Sequence, residues 1–261
     1  MILDEIIEYK RHEVAAARAK ETEREVAARA AAVPPLRDFG AALISGGPVA
    51  VIAEVKRASP SRGRIAGPDF DPAAVAGEYA AGGAAAISVL TDKKFFQGDE
   101  ATLRAVRAAV SVPVLRKDFV LDPYQVYETR AMGADAMLLI VRALERNEFR
   151  DLLALAIETG LTVLVETHNE REVETAVDAG AMVIGINNRD LDTFVVDLAV
   201  TERLAPLIPS DRIVVSESGI SSADDVARVR DAGARAVLVG ESLVTSGDVA
   251  GKVRELREGA R

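Results

Sequence analysis

Glu54 and Lys56 stand two residues apart at the end of an apolar run that begins at Val49. Side chains of a strand alternate between its two faces, so this carboxylate and this ammonium group share one face. A parallel strand that is buried on both faces is expected to stay apolar until it leaves the core. The pair therefore predicts either a site for proton transfer or a strand end whose charges are simply solvated, and this stretch alone leaves both open.

Residues that could take part in catalysis or ligand binding also follow five later apolar runs. They are Lys117, Glu166, Asn187, Arg189, Glu217, Ser218, Gly219, Gly240 and Ser242. The starts of the same runs are mostly small or apolar, whereas a merely solvated rim would carry charge at both ends. Carboxylates near ammonium groups in a partly dry site push pKa values apart, as acid–base catalysis requires. The asymmetry favours such a site, with an inert ion-pair network as the alternative.

The apolar runs alternate with stretches of helical pattern. The predicted strands are 49–55, 85–90, 112–116, 136–140, 162–165, 182–186, 212–216 and 236–239, and the predicted helices are 72–81, 100–109, 123–132, 145–159, 170–179, 197–205, 222–232 and 248–258. Eight strand–helix units predict a parallel sheet that closes into a barrel. An open doubly wound sheet is the alternative, but it more often carries a G-x-G-x-x-G loop after its first strand, and none stands there. The predicted fold class is α/β, a single (β/α)8 TIM barrel.

The first part of the chain predicts a helical extension. Residues 2 to about 32 contain no glycine or proline, end before Pro34-Pro35 and place Leu3, Ile6 and Val14 near helical spacing. This pattern predicts one amphipathic helix packed on the domain that follows, with a solvated helix as the alternative. We therefore expect an N-terminal helical extension over residues 1–48 and the barrel over residues 49–261.

Composition limits the class of protein. Forty-nine percent of the residues are hydrophobic, no apolar run approaches the length of a membrane span, and the first residues do not resemble a signal peptide. A net charge of −9 argues against a general nucleic-acid surface, and the lack of cysteine excludes disulfides and thiolate sites. The two histidines, His12 and His168, are isolated, so no metal site is expected. We expect a cytoplasmic protein, a monomer or weak homo-oligomer, that acts on a small molecule without membrane or nucleic acid.

Two further sets of residues suggest binding subsites. Ser218-Gly219 and Gly240–Ser242 each stand just before a helical stretch, where many barrels hold a phosphate group on backbone N–H groups. Glycine is also common in turns without a ligand. Phe96, Phe119 and Leu138, near predicted strands two to four, either pack in the core or form a wall for an aromatic ligand.

Seven motifs in order resemble the indole-3-glycerol phosphate synthase family. They are AEVKRASPSRG, SVLTDKKFFQG, PVLRKDF, GADAMLLI, LVETH, GINNRDL and SESGI, and the resemblance runs from the N-terminal helix to the last loop. The family pattern often has valine where this chain has Thr167. The resemblance implies an enzyme of tryptophan biosynthesis, a carboxy-lyase that converts 1-(2-carboxyphenylamino)-1-deoxyribulose 5-phosphate into indole-3-glycerol phosphate, carbon dioxide and water. It implies no cofactor, because the developing iminium ion takes up the electrons of decarboxylation.

The same resemblance implies a role for each candidate residue. Lys117 matches the general acid, Glu166 looks like the base, and Lys56 assists as a second acid or holds the substrate carboxylate. The supporting residues are Glu54, Glu217 and Asn187. The phosphate would lie on Ser218, Gly219, Gly240 and Ser242, with Ser59 and Arg189 nearby. The anthranilate pocket would consist of Phe96, Phe119 and Leu138.

Two features of the sequence leave other functions open. A lysine at a strand end also suits a Schiff-base aldolase, and paired phosphate loops suit a barrel that binds a sugar phosphate without turning it over. The loop Ser59–Gly67, which holds Pro60, Gly63 and two arginines, is expected to form a mobile lid over the site.

Overall fold

The computed structural model describes residues 2–59, 63–64, 67 and 70–259, with the backbone alone at Ser59 and Arg64. The strands are β1 (Ala50–Val55), β2 (Ala58–Ser59), β3 (Gly63–Arg64), β4 (Ala86–Leu90), β5 (Val114–Lys117), β6 (Ala136–Ile140), β7 (Thr162–Thr167), β8 (Val183–Asn187), β9 (Ile213–Glu217) and β10 (Ala236–Val239). The helices are α1 (Ile2–Arg18), α2 (Glu23–Ala31), α3 (Phe39–Ser45), α4 (Pro72–Gly82), α5 (Lys93–Phe96), α6 (Glu100–Ala109), α7 (Pro123–Ala131), α8 (Arg146–Glu158), α9 (Glu170–Asp178), α10 (Ala199–Leu204), α11 (Ala223–Asp231), α12 (Glu241–Val244) and α13 (Val249–Glu258), with 3-10 turns at Val141–Ala143 and Ala205–Leu207.

A closed sheet organises the chain. Within the described residues, β1 and β4 to β10 form a barrel of eight parallel strands, and each strand pairs with its neighbours along the chain, with β10 returning to β1. Helices α4, α6 to α11 and α13 follow these strands in turn. This confirms the predicted (β/α)8 barrel. The division into an extension over 1–48 and a barrel over 49–261 stays a prediction.

Two apolar layers surround the sheet. In β1, Val51, Ala53 and Val55 point outward to the layer between strands and helices, whereas Ala50 and Ile52 point into the barrel. Because side chains alternate, Glu54 continues the inward row. The same alternation gives every strand an inward row, and in β1, β5, β7, β8 and β9 a polar residue ends that row: Glu54, Lys117, Glu166, Asn187 and Glu217.

Four predicted strands end too early. The structure extends β5, β7, β8 and β9 to Lys117, Thr167, Asn187 and Glu217. These residues remain in the ladder: Leu90 pairs with Lys117, Ile140 with Glu166, and Asn187 with Glu217. A polar side chain in the sequence suggests the end of a strand, but here the backbone continues to pair while the side chain points into the barrel mouth. The candidate catalytic groups therefore lie on the sheet itself.

The prediction of a single N-terminal helix is wrong. The structure has α1 and α2, separated at residues 19–22. Thr22 forms a capping box with Glu25: its backbone N–H and side chain both contact the Glu25 carboxylate at 2.7 Å, and Glu25 N donates back to Thr22 Oγ1 at 3.4 Å. A capping box begins a helix and satisfies N–H groups that a continuous helix would not expose. The break lets the two helices pack in different directions, and α2 packs on α7.

Helix α3 was not predicted. Asp38 caps it by accepting from Ala41 N at 2.8 Å, and its apolar side chains Phe39 and Leu43 are fully buried against the inward row at the starts of the strands. The helix therefore closes the N-terminal end of the barrel and leaves the C-terminal end as the open mouth. None of the helices in the described part of the chain is long and apolar enough to cross a membrane.

Lys10 fastens α1 to the barrel mouth. Its ammonium group is almost fully buried and lies 3.0 Å from Asp92 Oδ2, 2.9 Å from Asp118 Oδ1 and 2.6 Å from Glu13 Oε2. Asp92 caps α5, and Asp118 directly follows the candidate acid Lys117. Burial would raise the pKa of the Asp118 carboxyl, but the Arg116 guanidinium, the Lys10 ammonium and the Thr91 hydroxyl hold it at about 2. One lysine on the extension thus ties together the loops that follow β4 and β5.

We expect Lys10→Met to destabilise the protein by about 3–5 kcal/mol, because it leaves the buried Asp92 carboxylate without a counter-ion among the described residues. Urea unfolding should be measured together with hydrogen exchange of the α1 amides, since detachment of α1 relieves the carboxylates without global unfolding. The matched control is Lys10→Met with Asp92→Asn, which keeps the oxygen that caps α5 and should recover part of the loss. A Lys10→Met protein as stable as wild type would contradict this account.

Candidate active site

A cluster of charged side chains lies at the C-terminal mouth of the barrel. Lys56 Nζ is 2.7 Å from Glu54 Oε1, while Lys117 Nζ is 3.1 Å from Glu166 Oε2 and 3.5 Å from Glu217 Oε2. The three carboxylates are nearly inaccessible, whereas about one sixth of each lysine side chain remains exposed. The ammonium groups therefore face the opening, and the carboxylates support them from below.

Asn187 completes the cluster. Its Nδ2 donates to Glu166 Oε1 at 3.1 Å, which leaves Oε2 of the same carboxylate directed at Lys117. The sequence-predicted catalytic set is thus brought together by β1, β5, β7, β8 and β9. The residues of that set are Lys117, Glu166, Lys56, Glu54, Glu217 and Asn187.

The surroundings shift the pKa values in opposite directions. Burial alone would lower the pKa of Lys117, but the nearby carboxylates, that of Glu166 above all, raise it above its ordinary value. Burial would raise the pKa of Glu166, but the ammonium of Lys117 and the contact with His168 hold it well below its usual range. Burial raises the pKa of Glu217 to about 8, because the attraction of Lys117 does not offset it and the other two carboxylates add to the rise. The same surroundings thus push the pKa values of the neighbouring Glu166 and Glu217 carboxyl groups apart.

Two glycines make room for this cluster. A β carbon at Gly185 would collide with the Glu217 carboxylate, and one at Gly240 would lie 2.6 Å from Glu54 Oε1 and 3.2 Å from Lys56 Nζ. The sequence assigned Gly240 to phosphate binding alone. The structure shows that this glycine also lies against the Glu54–Lys56 pair, so the two predicted subsites adjoin each other.

The cluster lines a cavity of about 770 Å³. The predicted residues that line it, besides the charged cluster, are Phe96, Phe119, Leu138, Arg189, Ser218, Gly219, Gly240 and Ser242. A volume of several hundred cubic ångströms with a few convergent polar groups is typical of a small-molecule site. No group of three or more His, Asp or Glu side chains in the described part of the chain could hold a metal ion.

One wall of the cavity is apolar and aromatic. The rings of Phe96 and Phe119 lie 6.2 Å apart between centroids, tilted by 37°, and Leu138 lies on the neighbouring inward row. Of the two explanations left open by the sequence, core packing or a ligand wall, the position on the cavity favours the wall.

Helix α1 adds a part of the wall that residue-level reasoning did not assign. Ile2, Leu3 and Ile6 line the cavity. Leu3 and Ile6 are three residues apart and Ile2 and Ile6 four, and these helical spacings are a signal that could have identified them. Together with the Lys10 anchor, these contacts make the extension part of the cavity wall.

The opposite wall is polar. Ser218 and Gly219 both have left-handed backbone angles, with φ of 66° and 84°, and Asn188 Nδ2 donates to Ser218 O at 3.0 Å. Ser242 Oγ donates to Ile220 O at 3.0 Å and so joins the loops after β9 and β10. A β carbon at Gly219 would collide with Val196, so this turn also requires glycine for space.

The two helices next to this wall differ at their N-termini. Helix α12 follows Gly240 and has no side-chain cap, and its first turn, which includes Glu241, lines the cavity. Helix α11 is capped by Ser222, and the Asp225 carboxylate accepts from the backbone N–H groups of Ser221 and Ser222 at 2.9 Å. At the start of α11 an anion would therefore compete with the Asp225 carboxylate for these N–H groups.

The loop after β8 forms a small cover that the sequence did not predict. Arg189 pairs across an antiparallel bridge with Val196, and Phe194, with a left-handed φ of 60°, lines the cavity. Arg142 holds the loop from the side through a 2.7 Å ion pair with Asp192. Arg189 is thereby kept at the polar side of the cavity, where its guanidinium adds positive charge.

The predicted lid, Ser59–Gly67, lies largely outside the described residues. Its described parts are the strands β2 and β3, which pair in antiparallel fashion as Ala58 with Arg64 and Ser59 with Gly63. The phosphate role assigned to the Ser59 side chain therefore stays a prediction. Thr167, the departure from the family pattern, donates to Gly185 O at 2.8 Å and is fully buried on the outward face.

Comparisons with known proteins point to one family. A family model described as indole-3-glycerol phosphate synthase matches residues 3–256. The chain is 53% identical over 267 residues to the indole-3-glycerol phosphate synthase of Roseiflexus sp. (strain RS-1), covering 99% of both chains. It is 52% identical over 250 residues to that of Chlorobium luteolum (95% of both chains), and 50% identical over 256 residues to that of Rhodococcus opacus (98% of this chain and 94% of the relative).

A solved structure supports the fold independently. The thiamine phosphate pyrophosphorylase from Pyrococcus furiosus superposes with a TM-score of 0.62 at 17% sequence identity, covering 82% of this chain and 96% of that chain. At so low an identity the likeness shows a shared barrel and nothing about chemistry.

Proposed function

The chain belongs to the indole-3-glycerol phosphate synthase family, and from this premise we propose that the residues at the barrel mouth close an indole ring on a sugar phosphate. The substrate is 1-(2-carboxyphenylamino)-1-deoxyribulose 5-phosphate. The products are indole-3-glycerol phosphate, carbon dioxide and water, so the enzyme is a carboxy-lyase of tryptophan biosynthesis. The observation that carries the proposal is the pairing of Lys117 with Glu166 and Glu217 beneath an aromatic wall.

Lys117 is the general acid of ring closure. The ring carbon that bears the carboxylate attacks the ribulose carbonyl carbon, and the carbonyl oxygen takes a proton from Lys117 to become a hydroxyl. The carboxylates around Lys117 keep it protonated until substrate arrives, since they raise its pKa. Formation of the new C–C bond leaves an iminium ion. When the bond to the carboxylate carbon breaks and carbon dioxide departs, the iminium ion receives the electron pair of that bond. No external electron acceptor is needed.

Glu166 is the base of dehydration. A carboxylate with a lowered pKa is a poor proton acceptor, but the acid step changes its surroundings. When Lys117 turns to the substrate and gives up its proton, the stronger of the two positive charges that lower the pKa of Glu166 is lost. Glu166 then becomes a stronger base at the stage when a proton must leave carbon and hydroxide must depart. The 3.1 Å ion pair thus couples the acid step to the base step.

Lys56 is the second cation of the site. Its 2.7 Å ion pair with Glu54 fixes the ammonium beside Gly240, close to the polar wall. From there it either holds the substrate carboxylate before decarboxylation or protonates the departing hydroxyl. Glu217 and Asn187 hold the catalytic pair and meet the sugar hydroxyls.

The two walls accept the two ends of the substrate. The phosphate lies on the Ser218-Gly219 turn and the first turn of α12, with Ser242, Arg189 and Ser59 nearby. The anthranilate ring lies between Phe96, Phe119 and Leu138.

The charge state of Lys117 argues against a Schiff-base aldolase. A Schiff base forms through a neutral amine, whereas the surrounding carboxylates raise the pKa of Lys117 and keep it an ammonium ion. Borohydride treatment with substrate should therefore leave no covalent sugar-phosphate adduct.

The test of function is formation of indole product, followed by fluorescence, from the carboxyphenylamino sugar phosphate without added metal or nucleotide. We expect multiple turnovers, and we expect the dephosphorylated sugar to react with a strongly raised KM, because the polar wall then has no anion to bind. Ligand binding without turnover would identify a non-catalytic barrel and overturn the proposal. The proposal also includes a cytoplasmic location and the absence of a cofactor. It further includes a monomer or weak homo-oligomer, each chain consisting of an extension over residues 1–48 and a barrel over residues 49–261.

A further inference from the structure

His168 lies beside the candidate base and has no role in the steps above. It stands two residues after Glu166, at the end of β7, and only 10% of its side chain is exposed. Its Nε2 lies 3.3 Å from Glu166 Oε1, an ion-pair contact whose N–H direction does not meet hydrogen-bond geometry. Its Nδ1 lies 3.1 Å from Glu172 Oε2. Each ring nitrogen thus faces a carboxylate, and both carry a proton only in the imidazolium form.

Glu172 is itself held in place. Its Oε2 accepts from His168 N at 2.8 Å, its Oε1 accepts from Asn169 Nδ2 at 2.6 Å, and its own N–H donates to Asn169 Oδ1 at 3.0 Å. Asn169 is the N-cap of α9. A helix start therefore orients Glu172, and Glu172 orients the imidazole.

We propose that His168 is a positioning residue that fixes the Glu166 carboxylate through Oε1, so that Oε2 faces Lys117 and the cavity. This inference rests on the proposed function, in which Glu166 is the base. Oε1 is contacted by His168 and by Asn187, whereas Oε2 contacts only the ammonium of Lys117 among the described residues. When Lys117 turns to the substrate, His168 is the cation that stays and keeps Glu166 ionised and oriented.

The charges around His168 support an imidazolium. Burial alone would lower its pKa, but Glu166 and Glu172 outweigh burial and raise the pKa of His168 to about 10. Glu217, on β9, also faces the ring and adds attraction. Arg142, on the turn after β6, interacts with Glu172 from the other side and moderates its charge. Because the folded pKa is raised, the imidazolium is present throughout the neutral range and is lost only as the pH rises through about 10.

The test is the pH profile of kcat for His168→Gln, which keeps a donor but removes the charge. Loss of the imidazolium raises the pKa of Glu166, so the acidic limb of kcat should move to higher pH by about 1 unit, the usual effect of one neighbouring opposite charge. His12→Gln, which changes an exposed histidine on α1, should leave the profile unchanged. A His168→Gln profile that coincides with that of wild type overturns the inference.

A second measurement does not depend on how the variant folds. The chain has two histidines, so His12→Gln leaves His168 as the only source of a histidine ring signal in NMR spectra. We expect that signal to remain in the protonated position from pH 6 to 9, and a titration near pH 6.5, the ordinary histidine value, would overturn the inference. Failure of the His168 inference can be told apart from failure of the proposed function. If Glu166→Gln is inactive while His168→Gln behaves as wild type, only the inference falls, whereas an active Glu166→Gln removes the base itself.

Discussion

Lys117→Ala is expected to lower kcat by about 10²-fold or more, the usual scale for losing a general acid. The variant removes the proton that the carbonyl oxygen takes up as the C–C bond forms, so every later step is blocked as well. Single-turnover mixing should show neither release of carbon dioxide nor indole fluorescence on the time scale of wild type. KM should change much less, because the aromatic and polar walls remain.

Lys117→Arg separates proton donation from electrostatic attraction. Arginine keeps the positive charge near Glu166 and Glu217 but does not give up its proton at any pH at which the protein is folded. We expect this variant to be nearly as slow as Lys117→Ala. Lys20→Ala, which removes an exposed lysine between α1 and α2, is the surface control and should keep full activity. Near-full activity in Lys117→Ala would remove Lys117 from the role of acid.

Glu166→Gln should also lower the rate of indole formation by about 10²–10⁴-fold, the range for a lost catalytic base. Glutamine keeps the size of the side chain and its contact with Asn187, so the loss would be chemical rather than structural. Because Glu166 acts after ring closure in our proposal, release of carbon dioxide should continue while the indole product fails to form. The variant should accumulate a ring-closed, decarboxylated intermediate that still holds its hydroxyl.

The measurement is release of label from the substrate carboxylate, compared with indole fluorescence in the same single turnover. In wild type and in Glu174→Gln, an exposed glutamate of α9, the two signals should rise together. In Glu166→Gln the label should precede fluorescence by a wide interval. If both signals slow equally, Glu166 acts at or before ring closure, and the assignment of acid and base to separate steps is wrong.

Much of the fold could be predicted from the sequence because the fold is periodic. Strand–helix alternation and the inward–outward alternation within each strand are local patterns, and they suffice to predict an eight-stranded barrel with Glu54, Lys117 and Glu166 at one end. The ends of four strands were missed for the same reason that the site was found. Polar side chains mark the mouth, but the backbone continues to pair beneath them, as Asn187 does with Glu217.

Contacts between distant parts of the chain could not be predicted. Lys10 has the pattern of a solvated helix residue, and only the packing of α1 on the loops after β4 and β5 brings it to Asp92 and Asp118. His168 looked like an isolated rim residue because its second partner, Glu172, reaches back from the next helix. Helix α3 has seven residues, too few to show a clear helical period. The contacts of Lys10 and His168 and the position of α3 depend on tertiary packing, which no local sequence pattern reports.

The extension of the strands to their polar ends has a consequence for how such an enzyme changes over time. Lys117, Glu166 and Glu217 are fixed by hydrogen bonds between strands, so their mutual spacing is a property of the closed sheet. The loops that cover the cavity, such as residues 189–196, lie outside that ladder. Loop segments can therefore be lengthened, shortened or replaced by mutation or design to admit a different substrate, while the proton-transferring pair is inherited intact.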